Sequence, residues 1–233
     1  MIEVPAGTVV VFADLLCPFA HVAIHRLWTT RSRLGLDDAV VFETHAFPLE
    51  LFNGPGTRIG SDSEVPVLGR FEPDAGWQLW NSPDWHYPNT VLLAFEAVHA
   101  AREQGRHAGE TLDRALRRAF WADSRSIGHY NVILDVARAA GLDDTRLAAA
   151  LTDGRARSAV FEDYAVAGSD LVSTSPHVFL PDGTSHVNPG IEVRWQGEWA
   201  RGFPVIEGDD PGVYEHILTT AARPSVQPAR AGT

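Results

Sequence analysis

The most reactive side chain in the sequence is its one thiol, Cys17, in the run Phe12-Ala13-Asp14-Leu15-Leu16-Cys17-Pro18-Phe19-Ala20-His21. An apolar run leads into it and a helical pattern leads out. A thiol at a helix start sits where the first backbone N–H groups lack partners and the dipole is positive. Proline suits the first helical position, because its missing N–H would be unpaired there anyway. These features predict a thiolate stabilised below the ordinary cysteine range, a nucleophile for disulfide exchange. A redox pair would need a second thiol three residues on, and that position holds Ala20. Cys17 can attack a disulfide, but no second thiol in the chain can release the mixed disulfide that results.

His21 and His25 follow on the same helical face. Histidines at i, i+4 can share an ion. Three ligands strung along one helix do not converge, however, and a metal would tie up the thiolate, so no metal site is expected. His21 is read as a neighbour one turn down that contacts substrate or tunes the thiol; the alternative is a core histidine bonded to backbone. His45 and His177, near strand ends, are read as core histidines.

Presenting a thiol in this way takes a strand that ends just before it. Residues 8–13, with Val9, Val10 and Val11 in succession, predict a strand buried on both faces. A helix over 17–34 and a strand over 40–47 complete a β-α-β unit with parallel strands. Periodicity then dissolves through residue 87, with turn chemistry at Asn53-Gly54-Pro55-Gly56 and Gly60-Ser61. Trp77, Trp80, Trp85 and Tyr87 in this stretch read as rings packed onto a helical layer, or as the wall of a substrate cleft. Helical patterns follow over 89–105, 110–121, 126–140 and 143–151, with no strand signal between 61 and 154. A helix over 156–172 precedes a hairpin turning at Pro181-Asp182-Gly183, and a last helix covers 210–222. The final residues are expected to fray. The predicted fold is α/β: a four-stranded mixed sheet flanked by helices, split into 1–60 and 155–233 by an all-helical insertion, 61–154.

Composition bounds the chemistry. The chain has 233 residues, 45% hydrophobic and 21% charged, ordinary for a globular protein. A formal charge of −11 argues against nucleic-acid or membrane partners. Every basic residue is arginine, which excludes a lysine Schiff base and a Walker-type phosphate loop. The start of the chain has no signal-peptide pattern and no apolar run is long enough to span a bilayer, so a cytoplasmic location is expected.

In order and spacing, the motifs resemble those of the DsbA-like thioredoxin-fold oxidoreductases. They are most similar to the FrnE-type branch, related to kappa-class glutathione transferases and 2-hydroxychromene-2-carboxylate isomerases. The resemblance covers nearly the whole chain. It rests on residues 14–21, on Asn89-Thr90, on Phe120 followed by Ser126-Ile127 and Ala140-Gly141-Leu142-Asp143, and on Thr174-Ser175-Pro176. It implies that Pro176 is cis beside Cys17, and that the Ser175 backbone is free to pair with an extended substrate. By the same resemblance Cys17 is catalytic, while Pro18, Phe19, His21, Ser175 and Pro176 contact substrate. The expected activity is monothiol disulfide exchange completed by a small external thiol. A transferase or isomerase using a bound thiol, and a non-catalytic binding protein, are the alternatives. No tightly bound cofactor is expected; glutathione or mycothiol is the candidate co-reactant, and a homodimer is compatible with the chain.

Overall fold

β1 (Thr8–Ala13) is buried along its whole length. Val9, Val11 and Ala13 enter one apolar cluster while Val10 and Phe12 enter another, on the opposite face of the sheet. The computed structural model describes residues 1–198 and 202–223, so the frayed end expected from the sequence lies outside the described residues. After β1 come α1 (Pro18–Arg33) and β2 (Val41–Ala46), which pairs parallel with β1. The strand-free stretch carries α2 (Leu49–Asn53), α3 (Arg58–Phe71), α4 (Leu92–Ala101), α5 (Ala108–Trp121), α6 (Tyr130–Ala139), α7 (Asp144–Asp153) and α8 (Arg157–Ala167). Then follow β3 (His177–Phe179), β4 (Ser185–Val187), β5 (Ile191–Gln196), β6 (Phe203–Asp209) and α9 (Val213–Ala221).

The main sheet has the order β2-β1-β3-β4, with β3 antiparallel to both β1 and β4. This is the mixed four-stranded sheet the sequence predicts. Two elements depart from expectation. Residues 58–71, read as aperiodic, form α3, capped by the Thr57 hydroxyl and carrying Pro66 inside it. Residues 191–196 and 203–209, read without strands, form the antiparallel pair β5-β6, whose Trp195 packs edge-on against Phe19 with ring centres 6.1 Å apart.

The helices α4 to α8 share a core that runs from Val91 and Phe95 to Leu147 and Val160 and also takes in Leu15, Ala46 of β2 and Val65 of α3. Two buried carboxylates tie them to the sheet. Glu110 on α5 accepts from Arg31 at 2.9 Å and from the Phe42 N–H at 2.6 Å. Asp163 on α8 accepts from the Ala46 N–H at 2.7 Å and pairs with His45 at 2.6 Å and His99 at 2.7 Å. His45 is thus an ion-pair partner at the junction of sheet and helices.

Burial works against a charged Asp163, but the bonds from His45 and His99 outweigh it and hold the carboxyl down to about 2. Burial also works against a charged His45, and the bonds to Asp163 and Glu43 overcome it and raise its pKa. The His45 contribution to stability is therefore complete below the ordinary histidine value and is lost as pH rises through the raised one. The Asp163 contribution is complete above the ordinary aspartate value and is lost as pH falls toward about 2. Urea unfolding should show stability falling as pH rises through the His45 titration. His45→Gln should flatten that slope; an unchanged slope would dismiss the pair as its source.

Candidate active site

The loop Asp14–Leu16 that delivers Cys17 is held from several sides. The Asp14 carboxylate accepts from the Leu16 N–H at 2.6 Å and the Leu49 N–H at 2.8 Å. From α5, Arg117 donates to the Asp14 carbonyl at 2.7 Å and the Trp121 indole to the Leu15 carbonyl at 3.3 Å. The Asp14 N–H donates to the Ser175 hydroxyl at 2.8 Å. Burial raises the Asp14 carboxyl to about 6, against the pull of those two N–H donors.

Cys17 is the N-cap of α1, with extended backbone and Pro18 following. Its Sγ lies 3.2 Å from the Ser175 carbonyl, which accepts the thiol proton. The Ser175–Pro176 peptide is cis. Here the expectation of a depressed thiol pKa is corrected. Burial pushes Cys17 up to about 12; the Ala20 N–H and the Ser175 side chain pull the other way and lose. The helix start is where the sequence puts it, but Cys17 is 6% exposed and its thiol is mostly desolvated. It is a neutral thiol near pH 7. The Ser175 carbonyl accepts from that thiol and keeps a second lone pair. Alkylation of Cys17 by iodoacetamide should have a midpoint well above the free-cysteine value of about 8.5; a midpoint at or below it would refute the burial argument.

A cleft of about 870 Å³ opens over the thiol. Cys17, Pro18, Phe19 and Ser175 border it, together with residues from α2, α3, β5 and the 87–91 segment. His21 is not among the lining residues. Its Nε2 lies 3.1 Å from the Ala75 carbonyl and 3.3 Å from that of Gly76, so this nitrogen carries the hydrogen. Its ring is wedged between Trp77 and Trp121. Burial, reinforced by Arg117, lowers its pKa to about 3, leaving a neutral ring that supplies no charge to the thiolate. The backbone-bonded alternative describes His21 better than substrate contact. Pro176 also lies outside the lining set, and its carbonyl accepts from the Asn188 N–H at 3.1 Å. His25 faces Glu72 at 3.5 Å, and no described group of three or more His, Cys, Asp or Glu side chains could hold a metal. His177 Nδ1 accepts from the Ser173 N–H at 3.1 Å, steadying the segment before Pro176.

The aromatic stretch divides its roles. Trp77 and Trp80 pack into the helical core, Tyr87 borders the cleft, and Trp85 is 80% exposed. Sequence reasoning missed Glu50 and Glu64 in the lining, because α2 and α3 were not recognised. It missed Asn188, just after β4, and Trp195 with the second hairpin, although the alternation of Ile191, Val193 and Trp195 is a readable strand signal.

The family model described as a DSBA-like thioredoxin domain matches residues 8–192. The chain belongs to that family. Among solved structures it is similar to a probable DsbA oxidoreductase from Streptomyces coelicolor, with 20% identity and TM-score 0.66 over 96% of this chain and 94% of the other. It is also similar to the cytosolic disulfide reductase DsbM of Pseudomonas aeruginosa, with 16% identity and TM-score 0.61 over 77% and 87%. A 2-hydroxychromene-2-carboxylate isomerase matches at 16% identity and TM-score 0.58 over 77% and 87%. At these identities the likeness is one of fold, and it includes both the reductase and isomerase sides of the branch read from the sequence. No curated protein matches the chain. Among the described residues no helix is long and apolar enough to cross a membrane.

Proposed function

We propose that this DSBA-like protein is a cytoplasmic monothiol disulfide oxidoreductase acting through Cys17 on a small thiol or disulfide. The observation that carries this reading is Sγ at the border of an open cleft, bonded to Ser175, with Ala20 in the place of a resolving thiol. Cys17 loses its proton to solvent and its sulfur attacks one sulfur of a disulfide. The new S–S bond forms as the old one breaks, and the departing thiolate takes up a proton. An external thiol then attacks the adduct, restores the Cys17 thiol and leaves as a disulfide, so two electrons pass from thiol to disulfide.

Incubation with oxidised glutathione and oxidised mycothiol, followed by intact mass measurement, tests the reading. One adduct on Cys17, released by excess thiol, supports it; no adduct on the folded protein overturns it. The neutral, buried thiol favours a second reading, in which a bound small thiol does the chemistry as a transferase or isomerase. Tight non-covalent retention of a reduced thiol would support that reading, and absence of both results would leave a binding protein.

Ala20→Cys is expected to complete the pair. The adduct should then give way to an internal disulfide with Cys17, seen as the loss of two hydrogens in the intact mass. Persistence of the full adduct would show that position 20 is out of reach of the sulfur.

A further inference from the structure

Asp14 is 1% exposed, yet it joins three of the segments that border the cleft. Each carboxylate oxygen serves a different element. Oδ1 accepts from the Leu16 N–H in the Cys17 loop, and Oδ2 from the N–H of Leu49, the first residue of α2. A helix start needs a partner for its free N–H groups, and Pro48, the cap residue of α2, offers no side-chain bond. Asp14 supplies that bond from 35 positions away. Its own N–H donates to the Ser175 hydroxyl, on the residue whose carbonyl holds the thiol. The first turn of α2 is tied onward as well, because Glu50 accepts from the Val91 N–H at 2.8 Å. Two charged groups act on the carboxylate from the packed elements. Arg117 of α5, itself paired with Asp113, favours its ionisation, and Glu50 of α2 opposes it. Burial outweighs the N–H bonds and raises the carboxyl to about 6, so its ionisation changes in mildly acid solution. A protonated carboxyl presents a hydroxyl, a poor acceptor, to one of the two N–H groups. That buried donor then lacks a partner, which disfavours the closed arrangement.

We propose that Asp14 is an acid-sensitive latch on Cys17. Ionised, it locks the Cys17 loop to α2 and keeps the thiol packed away; protonated, it lets α2 part from the loop and opens the thiol to its disulfide. The functional meaning of the latch rests on the monothiol reading above. Asp14 is a positioning residue in that reaction: it acts on the thiol through the backbone of Leu16 and Leu49 and does not touch the reacting sulfur atoms.

The test is iodoacetamide alkylation of Cys17 in the full chain, followed from about pH 5 to about pH 8. Attack by the thiolate alone rises about tenfold per pH unit below the titration of the thiol. Wild-type rates near the acid end should stand about tenfold above the line extrapolated from the alkaline end. Asp14→Asn has one acceptor oxygen where the carboxylate has two. It should speed alkylation about tenfold at the alkaline end and follow a single line throughout. Leu49→Pro removes the α2 donor at a helix position that takes proline, while the Asp14 charge stays. It too should speed alkylation at the alkaline end. Should Asp14→Asn not fold, the wild-type profile and Leu49→Pro decide. An unbroken line in the wild type, or an unchanged rate in Leu49→Pro, would overturn the latch. A faster Asp14→Asn beside an unchanged Leu49→Pro would reduce it to an effect of charge on the thiol. Alkylation needs no disulfide, so these failures leave the monothiol reading intact. Absence of any disulfide adduct on a protein that shows the latch would overturn that reading alone.

Discussion

Cys17→Ser should abolish disulfide exchange, lowering the rate by at least about a thousandfold. A serine hydroxyl does not form an S–S bond, and no other thiol exists in the chain to take over. The fold should survive, because a hydroxyl at position 17 can still donate to the Ser175 carbonyl that now accepts from Sγ. Stability should change by less than roughly 1 kcal/mol. Turnover of bis-hydroxyethyl disulfide beside a urea titration separates the two effects. Full activity in the variant would transfer the chemistry to a bound thiol and favour the isomerase-like reading.

Arg117→Met should be the most destabilising substitution proposed for this molecule, by about 3–5 kcal/mol. Arg117 is 1% exposed, pairs with Asp113 at 2.8 Å and 3.1 Å, and donates to the Asp14 carbonyl at 2.7 Å. Methionine keeps the apolar stem but leaves Asp113 as an unpaired buried charge. The double variant Arg117→Met with Asp113→Leu should recover most of the loss, because removing both charges avoids that penalty. The single variant should also loosen the loop that delivers Cys17, so alkylation of the thiol should speed up at fixed pH. A loss below about 1 kcal/mol would mean that Asp113 finds water or another donor.

How far the sequence could be read depended on whether a feature is local. Three consecutive valines, Pro18 at a helix start, Asp143 before α7 and Gly154 after it all mark their elements through nearby physics. Pro66 inside α3 reads as a break, although its neighbours stay helical. Pro204 and Gly208 inside β6 disguise a strand that pairs only with β5, apart from the main sheet. At the site, Cys17 and Ser175 were legible as motifs, whereas the direction of the thiol pKa was not. The helix start is encoded next to the cysteine, but the desolvation that outweighs it comes from elements far along the chain. The same holds for His21, whose carbonyl partners at residues 75 and 76 lie in a turn more than fifty positions away.

The central claim is that a reaction begun by Cys17 must be finished from outside the chain. Steady-state reduction of bis-hydroxyethyl disulfide, measured against the concentration of an added monothiol, tests it most directly. The rate should rise in proportion to that thiol and vanish without it, with the protein then accumulating as its Cys17 mixed disulfide. Continued turnover without added thiol, or adduct that clears on its own, would mean that some group within the chain resolves the disulfide, and would contradict the account.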